Sequence, residues 1–289
     1  MSSELKALDD LRRRIDAIDD AVHDLLIERS ELAAEILAAK PPTDDQVSAM
    51  RPGREAEVLR RLLGRHSGVL PAIVVADLWR ELMSAFVRLQ GPLEVAVCAP
   101  EKSVGYWDLA RAHFGTATAM TLHRSPGVVL RAVTEGEGIV AVLPLPQEDD
   151  PAPWWQQLAA DVPNAPRIIA KLPFVENRAS RFEDLGALVV APLDRQQTGQ
   201  DKSLLVLATE TPISRAKLVE QLASAGLEGG ALAVTDRDRD QPEALYLIEI
   251  DDFVAKDDAR IADFLESSEG SIDRIVSLGG YAVPYRSED

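Results

Sequence analysis

Leu8, Leu11, Ile15, Ile18, Val22, Leu25, Leu32, Ile36 and Ala39 recur at alternating spacings of three and four, with mostly polar and charged residues between them. That period belongs to an α-helix whose apolar seam packs against other helices, and it predicts one continuous helix from Leu8 to Lys40. Pro41 and Pro42 stop it, because proline has no backbone N–H to donate. At 1.5 Å per residue the rod is roughly 50 Å long and needs a partner along it. One slot of the seam is held by Arg29. A guanidinium in an apolar seam is costly unless an anion meets it, so Arg29 marks a candidate site.

A polar connection over Thr43 to Ala49 leads into Arg51-Pro52-Gly53-Arg54-Glu55. Val58, Leu59, Leu62 and Leu63 then predict a second amphipathic helix, closed between Gly64 and Gly68. From Pro71, the series Val75, Leu78, Trp79, Leu82, Met83, Phe86 and Gln90 predicts a third, ended by Gly91-Pro92. Three helices, one very long, enclose little core in one chain, so two chains are expected to share it.

At Leu93 the period changes. Leu93 to Ala99 reads as a buried strand of the parallel type. Helix-like and strand-like segments then alternate over Tyr106 to Phe114, Thr116 to Leu122, Val128 to Thr134, Ile139 to Leu143, Trp154 to Ala160 and Arg167 to Leu172. Leu185 to Ala191 is a further strand, and Gln147 to Pro153 and Pro173 to Asp184 read as loops. The alternation predicts an α/β layer. Beyond the polar link Asp194 to Gln200 the order is strand Lys202 to Thr209, helix Arg215 to Ala225, strand Gly230 to Asp236, strand Ala244 to Ile250, helix Asp258 to Glu266 and strand Ile272 to Val283. That β-α-β-β-α-β order is the split-βαβ, ferredoxin-like motif. The expected fold is multidomain: an all-α three-helix domain over residues 1–91, an α/β lobe over 92–193 and a ferredoxin-like α+β domain over 200–286.

The 289 residues suffice for two or three cores, and 46% hydrophobic with 27% charged residues is the balance of a water-soluble globular chain. No apolar run is long enough to cross a bilayer and the N-terminus lacks the pattern of a targeting peptide, so a cytoplasmic location is expected. The net charge of −17 argues against nucleic acid or an anionic membrane as partner. Only −3 of it falls in residues 1–90, where 13 Lys and Arg nearly match 16 Asp and Glu, so cations concentrate in the helices. The one cysteine, Cys98, excludes an intrachain disulfide and reads as a buried strand residue. His23, His66, His113 and His123 show no ligand spacing, so no metal is expected.

At 100° per residue, Arg29 and Lys40 fall within about 20° of one another, two cations on one helix face. Arg12 is turned roughly 100° from Arg29 and does not easily serve the same pocket from the same helix, whereas in a paired-helix dimer it could reach the pocket of the other chain. Glu55, with Arg54 beside it, shares the stripe of Leu59 and Leu62, and Gln90 ends the apolar series of the third helix. Together these predict a cation-rich pocket with one amide and one carboxylate and no evident nucleophile. Such a pocket suits a small dianion, held bidentately by arginine forks, and works by fixing shape and stabilising developing charge.

The runs Leu11-Arg12, Ile15-Asp16, Ile18-Asp19, Leu25-Leu26, Glu28-Arg29, Lys40, Arg51-Pro52-Gly53-Arg54-Glu55 and Leu78-Trp79-Arg80-Glu81-Leu82-Met83-Ser84 through Gln90 resemble the all-α class of chorismate mutases, across residues 5–90. The resemblance implies an intertwined homodimer that converts chorismate to prephenate, in phenylalanine and tyrosine biosynthesis, without a cofactor. By position, it implies that Arg12 binds one substrate carboxylate in the partner's site and Arg29 the other. Lys40 and Gln90 would hydrogen-bond the ether oxygen, and Glu55, beside Arg54, would accept the substrate hydroxyl. Arg51 and Phe86 fall where the family varies or often has smaller polar residues, and are left out of the catalytic set.

Glu81-Leu82-Met83-Ser84 running into Gly91-Pro92-Leu93 resembles the junction in bifunctional chorismate mutase–prephenate dehydratases, which implies a dehydratase-like lobe followed by an ACT-like domain. The chain departs from that pattern. Ala99-Pro100-Glu101-Lys102-Ser103-Val104 stands where the family has Gly-Pro-Glu-Gly-Thr-Phe, Pro144-Leu145-Pro146-Gln147 where it has Pro-Ile-Glu-Asn, and Ser180-Arg181-Phe182 only shadows its catalytic Thr-Arg-Phe. Ile213-Ser214-Arg215-Ala216 and Thr235-Asp236-Arg237-Asp238 replace the ACT phenylalanine-binding motifs. The expectation is therefore a mutase with a degenerate lobe; the alternatives are the bifunctional enzyme and a non-catalytic, ligand-binding helical dimer. Trp154-Trp155 is expected to be core or interdomain packing, and Asp236 to Asp240 a solvated turn.

Overall fold

The computed structural model describes residues 3–39, 49–100, 105–148, 150, 152–159, 165–176, 185–235, 243–268 and 270–286. The expectations for Lys40, for most of the connection Thr43 to Ala49, for Glu101 to Val104, for Ser180-Arg181-Phe182 and for Asp236 to Asp240 lie outside these residues.

Helix α1 (Ser3–Ala39) is one unbroken element over the predicted stretch and begins before Leu8. Helix α2 (Pro52–Gly64) opens on a proline in its first turn, where a missing N–H costs nothing, and α3 (Ala72–Gln90) ends at Gly91. Among the described side chains of α1, Leu26, Arg29, Ser30 and Ala33 are half-buried within one chain, a single face that includes the seam slot of Arg29. The seam itself stays open, with Leu8 43% exposed, Ile18 61% and Leu25 64%.

The third helix buries Met83 and Phe86 of the expected stripe, half-buries Val75, Trp79, Leu82 and Gln90, and adds small and charged positions beside them. Ala72, Ala76, Arg80, Met83, Ser84, Phe86 and Val87 are buried, whereas Leu78, placed in the apolar series, is 57% exposed. The small residues let α3 lie close to its neighbouring helices, and Val74, Leu78 and Leu89 add to the exposed apolar surface of the helices. Ala56, Leu59, Leu63, Ala72, Ala76 and Met83 form the core between α2 and α3, and Phe174 and Val175 from far along the chain complete it.

Beyond the helices come β1 (Glu94–Cys98), α4 (Gly105–Phe114), β2 (Ala119–His123), α5 (Pro126–Glu135) and β3 (Ile139–Pro144). Strand β1 pairs in parallel with both β2 and β3, with Cys98 fully buried in it. Next are β4 (Arg167–Leu172), β5 (Val175–Glu176) and β6 (Ala187–Ala191), the last antiparallel between β3 and β4. The helix expected over Trp154 to Ala160 is only a 3₁₀ turn, Trp154–Leu158; a segment this short, following Pro153, does not nucleate an α-helix without support. Both tryptophans are core residues, and Trp154 Nε1 donates to the Pro144 carbonyl at 3.1 Å.

The last third contains β7 (Asp201–Thr209), α6 (Arg215–Ser224), β8 (Gly229–Thr235), β9 (Ala244–Ile250), α7 (Ala259–Ser267), β10 (Arg274–Ala282) and β11 (Tyr285–Arg286). Ser214 caps α6 and Asp258 caps α7 through their side-chain oxygens. Strand β5, inside the expected loop Pro173 to Asp184, pairs with β11.

Among the described residues, the strands other than that pair form one nine-stranded sheet, in the order β2-β1-β3-β6-β4-β10-β7-β9-β8. The junction is β4 against β10, where Gly279 faces Ile168. Gly279 has a φ of +98°, and a Cβ there would stand 2.3 Å from the Ile168 carbonyl oxygen, so only glycine lets these strands meet. The core on one face is likewise continuous, from Ala96 and Val129 through Trp155 to Leu247 and Leu278. The polar link Asp194 to Gln200 thus separates two segments in sequence while the sheet joins them in space.

Candidate active site

Arg29 projects from α1 onto α3, with its guanidinium carbon 4.2 Å from the centre of the Phe86 ring and 5.6 Å from that of Trp79. The rings strip part of its hydration, and burial lowers its pKa from the ordinary arginine value. A half-dry guanidinium binds a carboxylate more strongly than a hydrated one, and its fork fixes the orientation. Gln90 donates through Nε2 to the backbone carbonyl of Phe86 at 3.0 Å, one turn back on its own helix, while Arg29 lies over the Phe86 ring. Lys40, expected beside Arg29, lies outside the described residues.

Glu55, on α2, accepts a 2.9 Å bond at Oε2 from Arg80 Nη1 on α3. The pair is enclosed, with side-chain exposures of 15% for Glu55 and 7% for Arg80. Arg54 beside it points outward and pairs with Glu57 at 3.0 Å. Arg12 is exposed on α1 and pairs with Asp9 at 3.4 Å. Seventeen residues of helix separate Arg12 from Arg29, about 25 Å along the axis, so the two do not meet within one chain.

Arg80 has no role in the site expected from the sequence, although Ala76, Arg80 and Met83 share a helical spacing that sets an arginine between apolar positions. Arg80 falls on the buried stripe of α3 between Ala76 and Met83, the same kind of anomaly as Arg29 in α1. Its partners could not be read, because Phe174 arrives from a distant loop: the Arg80 guanidinium lies 5.1 Å from the centre of that ring. Burial pushes the Arg80 pKa down, opposed by the charge and hydrogen bond of Glu55. A narrow cleft between α2, α3 and the sheet is lined by Glu55, Arg80, His113, Lys171 and Phe174.

His113, at the end of α4, is held well below its ordinary pKa of 6.5, first by burial and then by the charge of Arg80. Between that depressed value and about 6.5 the unfolded chain carries a proton the folded chain refuses. Stability therefore rises with pH through this window and is progressively lost as pH falls below 6.5. His113→Gln is expected to flatten that slope in urea titrations between about pH 5 and 7; an unchanged slope would assign it to other groups.

The helices are tied to the sheet around this site. The Glu81 carboxylate accepts from the backbone N–H of Thr116 at 2.8 Å and from its hydroxyl at 3.1 Å, and Arg88 donates to the Ala117 carbonyl. Arg60, on α2, reaches Thr198 Oγ1 and the carbonyls of Gln200 and Val283, fixing α2 to the start of β7 and the end of β10. Among the described residues, no group of three or more His, Cys, Asp or Glu could hold a metal ion, and no helix is long and apolar enough to cross a membrane.

Residues 11–91 match the family model for chorismate mutase type II. The bifunctional chorismate mutase/prephenate dehydratase of Stutzerimonas stutzeri is 34% identical over 148 residues, covering 50% of this chain and 40% of that protein. The protein of the same description from Pseudomonas aeruginosa is 36% identical over 147 residues, covering 49% and 39%. The chain spans about 40% of the length of these curated relatives. Among solved structures, a prephenate dehydratase from Streptococcus mutans aligns with a TM-score of 0.44 at 17% identity, over 68% of this chain and all of that one. The stretch that matches the chorismate mutase type II model holds Arg12, Arg29, Arg54, Glu55 and Gln90, and in this chain it is joined to an α/β C-terminal region.

Proposed function

We propose that the helical segment rearranges chorismate to prephenate, in a homodimer whose two long helices pack seam to seam. The observation that carries this is the match of residues 11–91 to chorismate mutase type II, over the stretch that holds Arg12, Arg29, Lys40, Arg54, Glu55 and Gln90. The reaction breaks an ether C–O bond and forms a C–C bond within one molecule, so neither cofactor nor nucleophile is required. Arg29 grips one carboxylate, and Arg12 of the partner chain grips the other. Lys40 and Gln90 meet the ether oxygen as it gains negative charge, and Glu55 accepts the ring hydroxyl, with Arg54 beside it. The rate comes from holding the compact conformer and from charge stabilisation already in place.

The exposed seam of α1 and the apolar surface of Val74, Leu78 and Leu89 support a second copy as the partner. The order β10-β7-β9-β8, with β-α-β-β-α-β along the chain, supports an ACT-like, ferredoxin-like domain over 200–286 behind a dehydratase-like lobe over 92–193. The helical domain is then residues 1–91.

A second reading is favoured by the relatives, which are named as bifunctional mutase/dehydratases: the C-terminal region also converts prephenate to phenylpyruvate. It is better supported by them than a C-terminal region without chemistry. The bifunctional reading expects phenylpyruvate from purified prephenate, followed by its absorbance in alkali. Mutase turnover without phenylpyruvate would return the C-terminal region to a structural or regulatory role.

A further inference from the structure

We propose that Arg80 is a positioning residue for the mutase reaction, acting through Glu55, and that Phe174 holds it in place; this rests on the mutase reading above. The Arg80 guanidinium donates to Oε2 of Glu55 at 2.9 Å, leaving Oε1 of the same carboxylate to accept the substrate hydroxyl. A carboxylate swings about two side-chain torsions beyond its Cβ, and one charge-assisted bond to a fixed donor removes that freedom before substrate arrives. Arg80 is such a donor, for it is 6% exposed on the buried stripe of α3 and its planar group lies against the Phe174 ring.

Phe174 in turn lies 5.8 Å from the Arg60 guanidinium, which bonds the carbonyls of Gln200 and Val283. The carboxylate that meets the substrate in the helical segment is therefore oriented by a support from the C-terminal region. In this assignment Glu55 is the group that meets substrate, and Arg80 and Phe174 act through it.

A double-mutant cycle in kcat separates this role from a purely structural one. Arg80→Met is expected to lower kcat by roughly 10- to 100-fold with a smaller change in KM, since a misplaced carboxylate weakens the transition state more than the bound ground state. In the Glu55→Gln background the same substitution is expected to cost less than about 3-fold, because its target is already gone. Arg80→Lys, which restores charge and one donor, is expected to recover part of the loss, and it carries the same cycle if the methionine variant does not fold. Equal losses in both backgrounds, or full kcat in a folded Arg80→Met chain, would overturn the positioning role while leaving the mutase reading intact. No turnover by the unmodified chain would overturn both.

Discussion

Arg29→Ala is expected to lower chorismate turnover by about 10²- to 10³-fold, the usual consequence of deleting one preorganised charge that faces developing charge. The fold should survive the change. Arg29 is half-buried and its contacts among the described residues are the rings of Trp79 and Phe86, interactions of about 0.5–1 kcal/mol each at partly exposed sites. Alanine also favours helix more than arginine does, which offsets some of that loss. Urea unfolding beside the activity assay checks both halves, and wild-type turnover in the folded variant would remove Arg29 from the site. Arg29→Lys should recover only part of the rate, because an ammonium keeps the charge without the bidentate fork.

Mixing two inactive variants is expected to restore activity. If Arg12 serves the partner's site, a heterodimer of Arg12→Ala with Arg29→Ala carries both defects in one pocket and none in the other. With random pairing half of the dimers are mixed, and half of their sites are intact, giving about a quarter of wild-type turnover. If Arg12 served its own chain's site, each pocket of the mixed dimer would carry one defect and the mixture would stay inactive. The separation of about 25 Å between the two residues along α1 favours recovery. Co-refolding equal amounts of the variants and assaying the mixture decides between the two outcomes.

The helices were legible because their signals are local. The seam from Leu8 to Ile36, the proline in the first turn of α2 and the stop at Gly91 are all written within a few residues of the elements they set. Arg29 stood out for the same reason, an arginine where the period calls for a leucine. What escaped depends on distant pairing. The merging of two expected sheets at Gly279 and Ile168, and the completion of the α2–α3 core by Phe174 and Val175, bring together residues more than 90 positions apart. Arg80 lies between these cases: Ala76, Arg80, Met83 and Val87 share a helical spacing, but the larger side chains of Leu78, Trp79 and Leu82 drew the expected stripe beside it, and its partners Glu55 and Phe174 come together only in the folded chain.

Every site assignment above rests on the proposed mutase activity of the helical segment toward chorismate. Purified full chain added to chorismate, followed by loss of the substrate's ultraviolet absorbance and by appearance of prephenate, tests it most directly. Saturable turnover without added metal or cofactor, abolished by Arg29→Ala, is the predicted result. Unchanged chorismate in the presence of a folded, dimeric chain would contradict it and leave a non-catalytic helical dimer in its place.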